Sequence, residues 1–130
     1  MDWSFPTPIT TGEWLSFGVA SLTALLGLCH LFAPRLMLRA SGLALPPEKE
    51  SALAHLRGPE AGFLLGLGLG ALLLAQPLIY LVLGFAWAFA AFGRVIGMLS
   101  DGAGGRNLAF FVFELVLAVA GLVFPLGLVA

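Results

Sequence analysis

Three charged side chains fall inside stretches of sequence that are otherwise apolar: Glu60, Arg94 and Glu114. A charge in hydrocarbon costs at least about 2.5–3.5 kcal/mol even on a lenient insertion scale. Such residues therefore turn toward one another or toward a ligand. A guanidinium is a planar fork that can serve two carboxylates at once, so the three are expected to form one buried layer built on Arg94. Arg57 stands one helical turn before Glu60 and either joins that layer or reaches to the headgroups. His30 and Asp101 lie at the edge of the same set. The chemistry open to such a layer is anion binding or proton transfer; its structural alternative is an ion network that fixes helix register.

Other polar groups offer less. Cys29 and His30 are adjacent, and neighbours on a helix point about 100° apart, so they are not a nucleophile and its base. One cysteine excludes an intrachain disulfide. No spacing of His, Cys and carboxylates matches a metal motif, and no cofactor motif is present. His55 falls in a polar opening and reads as solvated. The glycines at 58, 62, 66 and 70 lack the lysine and threonine of a phosphate loop. They read as a packing ridge that lets a neighbouring backbone approach, as do Gly93 and Gly97.

The elements that position these groups follow from composition. The chain has 130 residues, 60% hydrophobic and 10% charged, with mean hydropathy +1.04. Water would leave too much of that apolar surface uncovered, so the class is an all-α integral membrane protein. At about 20 residues per span, the length suits a single domain, residues 1–130, forming a four-transmembrane-helix bundle. A net charge of −1 gives no reason to expect nucleic acid. The N-terminus lacks a basic signal-peptide region, so the first apolar segment is expected to be retained.

The spans are expected at about 12–32, 48–75, 78–99 and 106–123. Thr11 and Glu13 suit the start of the first, and Pro34 ends it. Trp3 and Trp14 suit an interfacial belt. Leu36-Met37-Leu38 suits the interface. The second span opens with polar turns and carries a kink at Pro59. Gln76-Pro77 is a tight connection, with proline placed for a first helical turn. Asp101-Gly102-Ala103-Gly104-Gly105 is a loop. Arg35, Arg39, Lys49 and Arg106 all fall in the two connections on one side, which the positive-inside rule places in the cytoplasm with both termini outside.

A seven-residue step keeps helical residues near one face. It yields stripes at Ser16-Thr23-His30, Trp87-Arg94-Asp101 and Asn107-Glu114-Gly121. These stripes are expected to face inward, with the charged layer in the cytoplasmic half: Arg94 about 9 Å and Glu114 about 12 Å from their helix ends.

Leu56-Arg57-Gly58, Gly62 and the glycine-rich run after it, Gly93-Arg94-Val95-Ile96-Gly97, Asp101-Gly102 and Glu114 together resemble a family of small bacterial four-helix membrane proteins. That family is catalogued as domain of unknown function forty-three forty-five and is similar in design to DoxX-like proteins. The resemblance runs from Gly18 to Leu122, and Pro59-Glu60-Ala61 departs from it. It implies a bacterial inner membrane and no particular reaction. Ala54-His55-Leu56-Arg57-Gly58-Pro59-Glu60 more faintly resembles a motif of membrane glutathione transferases, with Arg57 in place of an asparagine.

Two functional classes remain open. One is a non-enzymatic bundle whose partners are membrane lipids, a lipophilic small molecule, further copies of itself or a larger membrane complex. The other is a membrane enzyme or carrier in which Arg94 anchors an anionic lipophile and Glu60 or Glu114 handles a proton.

Overall fold

Thr10 sets the first helix: its hydroxyl accepts from the Glu13 amide, so one of the orphan donors of a helix start is satisfied. Helix α1 then runs Thr11–Phe32. Pro34 both stops it and begins α2, Pro34–Ala40. Its missing N–H would break an ongoing helix but costs nothing at a first turn. The stretch expected to lie along the interface is thus a short helix of its own.

The computed structural model describes residues 6–130, and those residues contain helices and no strand. Trp3 lies outside the described residues; Trp14 is exposed at the start of α1.

The second expected span is not one helix. Pro46 and Pro47 open a 3₁₀ segment, Pro47–Leu53, broken internally at Lys49. A π-helical turn follows at Leu56–Glu60, and regular α-helix is confined to α3, Ala61–Leu74. Pro59 is the cause of the widened turn. It has no amide to return and its ring crowds the carbonyl four residues back, so the backbone there widens into a π turn. Helix α3 ends at Ala75 in the left-handed conformation (φ 48°). Gln76 then leads into α4, Pro77–Asp101, with proline in its first turn. Helix α5 is Gly105–Leu122.

Three helices, α1, α4 and α5, are each long and apolar enough to cross a membrane. The 14 residues of α3 give a regular helix of only about 21 Å. The chain packs as two helix pairs, α1 with α3 and α4 with α5, joined where α1 meets α5 and where α3 meets α4. Its core comprises Val19, Ala20, Ala71, Tyr80, Leu83, Trp87, Leu117 and Ala118. The Gly12 amide donates to the Ala130 carbonyl at 2.8 Å, so the start of α1 and the C-terminus share one end of the molecule. The outer surface is strongly apolar: Phe63, Phe89 and Leu78 are each about 70% exposed.

Close helix approach uses other glycines than those expected. A Cβ on Gly68 would stand 2.5 Å from the backbone nitrogen of Ala24, and one on Gly27 would stand 2.8 Å from that of Leu65. These two positions bring α1 and α3 together backbone to backbone. Gly84 and Gly121 meet between α4 and α5. By contrast, Gly58, Gly62, Gly66, Gly70, Gly93 and Gly97 have no neighbour within 4 Å of such a Cβ position. The reason is angular. A four-residue step advances about 400°, so a ridge of that period drifts around the helix. The buried line of α3 is Ala61, Gly68 and Ala71, spaced seven and three.

Candidate functional site

The side chain of Arg94 leaves α4 about 10 Å before the helix ends, by the helical rise over the seven residues to Asp101. Across the pair, Glu114 is buried on α5. The two meet in a fork: Arg94 Nε donates to Glu114 Oε1 at 2.5 Å and Nη2 donates to Oε2 at 3.2 Å. Nη1 donates to Asn107 Oδ1 at 3.1 Å, and the guanidinium carbon sits 5.0 Å from the centre of the Phe110 ring. Charge-assisted, bidentate and backed by an aromatic face, this is a strong geometry for an Arg–carboxylate pair. It ties two antiparallel helices at one depth. Three of the five guanidinium N–H groups are engaged.

Glu60 is not part of that fork. Its Oε2 lies 3.4 Å from Nε2 of His30, and its side chain is 59% exposed. The one expected layer is therefore two separate pairs. The pairing of helices decides it: α3 lies against α1, so the carboxylate at the top of α3 meets the histidine at the end of α1 and not the arginine of α4. Nδ1 of His30 is 2.8 Å from the Leu26 carbonyl, four residues back. A carbonyl only accepts, so Nδ1 carries the hydrogen, and Nε2 carries one only in the imidazolium form.

Arg57 does not reach Arg94's neighbours either. Its Nε donates to the Leu31 carbonyl at 3.2 Å. That carbonyl belongs to the last turn of α1, where orphan acceptors and the negative dipole end favour a cation. Asp101, expected at the edge of the layer, is exposed at the end of α4.

Three hydrogen bonds nearer the termini complete the interior. Trp87 Nε1 donates to Thr23 Oγ1 at 2.9 Å, and the Thr23 hydroxyl donates to the Val19 carbonyl at 2.7 Å. The Ser16 hydroxyl lies 3.5 Å from the Gly121 carbonyl. The seven-residue stripes pointed to these positions, but not to the partners. Among the described residues no buried side-chain N or O lacks a hydrogen-bond partner, and no cluster of His, Cys, Asp or Glu is arranged to hold a metal.

Two cavities open at the other end of the bundle from the termini. One, of about 400 Å³, is lined by Arg35, Leu38, Arg39, Leu43, Leu45, Glu50 and Leu53 among others. The second, of about 500 Å³, lies along the 3₁₀ segment by Lys49, His55 and Pro59. Neither is lined by Arg94. The 3₁₀ segment places Glu50 3.4 Å from Arg35, with both side chains more than half exposed. Sequence reasoning used Arg35 and Arg39 only for orientation. Their four-residue spacing around Leu36, Met37 and Leu38 was the signal that they share a face of a short amphipathic helix.

The family described as Domain of unknown function (DUF4345) matches residues 13–124 of the chain. No curated protein and no solved structure matches it.

Proposed function

The chain belongs to that family of unknown function, and from this premise we propose that it is a non-enzymatic membrane bundle that binds lipid or a lipophilic small molecule. The surface supports the membrane part. Side chains such as Phe63, Leu78 and Phe89 are exposed on three different helix turns, and a continuous apolar surface of that kind is stable only in hydrocarbon. In this reading the π turn and α3 together make a fourth crossing. Even crossings agree with the contact between Gly12 and Ala130. Arg35, Arg39, Lys49 and Arg106 then face the cytoplasm of a bacterial inner membrane, with both termini outside.

The observation that carries the binding part is the cavity beside α2, which lies away from Arg94. Arg94 gives three of its five N–H groups to Glu114 and Asn107, so this guanidinium acts as a clamp between α4 and α5. The first cavity lies instead among the arginines and leucines of α2 and the chain that follows it. An enzyme or carrier that held an anion on Arg94 would need that fork open, which is why the binding reading is preferred. Further copies of the chain or a larger complex are compatible with it.

The test is mass spectrometry of the native protein extracted in mild detergent. A lipid or lipophile retained at fixed stoichiometry is the expected result; protein that is folded and bare counts against the reading. Topology is checked separately in a Cys29→Ser background. Membrane-impermeant thiol reagent applied from outside should label Ser4→Cys and not Ser41→Cys, and the reverse pattern would overturn the orientation.

A further inference from the structure

The cavity between α2 and the 3₁₀ segment combines features that the rest of the surface keeps apart. Arg35 and Arg39 are four residues apart on α2 and both line it. Leu38, Leu43, Leu45 and Leu53 supply its apolar wall, and Leu53 is buried. Arg35 is held by Glu50 through an exposed contact, a kind of pair that contributes little and exchanges readily. Arg39 has no ion-pair partner among the described residues. A third guanidinium stands at the lip. Arg106, from the start of α5, lays its guanidinium directly over Gly42, and Gly42 adjoins Leu43 in the cavity wall. Three guanidinium charges against the one carboxylate of Glu50 leave an excess of two positive charges.

We infer that this cavity is a headgroup site for an anionic glycerophospholipid: Arg35 and Arg39 hold the phosphodiester, and the leucines receive the glycerol and the first acyl carbons. The inference rests on the membrane reading above, which places α2 and the cavity at the headgroup level, one residue beyond the end of α1. Guanidinium forks match phosphate oxygens in geometry, and basic pockets at the cytoplasmic face are where anionic headgroups dock. The leucine wall is what separates this site from one for a free anion. A soluble phosphate would leave it facing water, whereas a lipid covers it. A zwitterionic headgroup brings its own cation into a site already carrying excess positive charge, so it should be disfavoured.

Purified protein in detergent is titrated with dioleoylphosphatidylglycerol or dioleoylphosphatidylcholine, and bound lipid is counted by native mass spectrometry. At about 1 kcal/mol per basic residue near a lipid surface, each arginine contributes roughly fivefold. Arg35→Gln with Arg39→Gln should therefore weaken phosphatidylglycerol by about 25-fold and leave phosphatidylcholine unchanged. Glu50→Gln removes the competing carboxylate and should tighten phosphatidylglycerol; a gain of this kind cannot come from misfolding. Millimolar inorganic phosphate should not displace the lipid.

Equal retention of the two lipids overturns the site, and so does a double-glutamine variant that keeps its preference. Displacement by inorganic phosphate also overturns it, in favour of a soluble anion. In the first two cases the protein still retains lipid, so the broader binding reading stands. Wild-type protein that retains neither lipid removes both.

Discussion

The two helix pairs of this molecule are held by opposite means. Between α1 and α3 the contact is backbone on backbone: Gly27 and Gly68 leave no room for a side chain, and the buried residues of α3 are Ala61, Gly68 and Ala71. Between α4 and α5 side chains carry most of the contact: Arg94 forks onto Glu114, Trp87 packs edge-on against Phe113, and the Leu122 side chain sits over Gly84. In hydrocarbon there is no hydrophobic force between helices, so association rests on close packing or on polar contacts. This chain uses one for each pair. The first kind tolerates almost no added volume. The second tolerates changed volume but not a lost partner.

The largest expected effect is therefore steric. Gly68→Leu would set a side chain 2.5 Å from the Ala24 nitrogen and 2.8 Å from its Cα, neither of which can move without shifting α1. Overpacking costs about 1–3 kcal/mol where side chains can yield, and more where they cannot. The substitution should abolish folded protein or lower its melting temperature in detergent further than any change at Arg94. A melting temperature close to wild type would mean that α1 and α3 are not packed as described.

Arg94→Leu comes next. It strands the buried Glu114 carboxylate, and breaking a buried pair in this way costs about 3–5 kcal/mol. Arg94 is 29% exposed on its side chain, so the lower end of that range is expected. Arg94→Leu together with Glu114→Leu should recover most of the loss, since no charge is then left without a partner. A double-mutant cycle on melting temperature measures the coupling, and additive losses would count against the fork.

How much of this was legible in the sequence depends on period. The seven-residue stripes coincide with buried side chains at Ser16, Thr23, Trp87 and Glu114, because that step nearly closes on two helical turns. The glycine ridge meets no neighbour within one copy: a step of four drifts by about 40° each time, and nothing in one helix says which face meets a neighbour. Glu60 was expected on Arg94 for a related reason. Charge and depth are readable along a chain, whereas the adjacency of α3 to α1 is not. Composition yielded the apolar helical class and the three long helices. Pro59 announced a disturbance, and the structure shows it as a π turn packed near the end of α1.

Thr23→Val probes the seam between the pairs. It keeps the shape of the side chain and deprives the Trp87 indole N–H of its acceptor. Polar contacts between membrane helices average about 0.6 kcal/mol, and the largest measured reach about 1.7. A loss of about 1 kcal/mol is expected, because both groups are buried and the indole has no alternative partner. An unchanged melting temperature would place this contact outside the stabilising set and leave the seam to Val19, Leu83 and Leu117.

The smallest effect is expected at Gly66→Ile, two residues from the most sensitive position. Gly66 is exposed and has no neighbour within 4 Å of a Cβ placed on it. Within one copy the added side chain meets nothing, and replacing glycine in a helix interior slightly favours the helix. The melting temperature should stay within the range of an ordinary surface change, about 0.5 kcal/mol, and the elution volume in detergent should not move. The pairing with Gly68→Leu makes the result informative: two glycines two residues apart on one helix, about 200° apart around it, should give the two extremes of the series. If Gly66→Ile instead shifts elution toward a smaller species, then a second copy covers the outward ridge of Gly58, Gly62, Gly66 and Gly70. Helix α3 would then be packed through glycine on two faces, by its own chain on one and by another copy on the other.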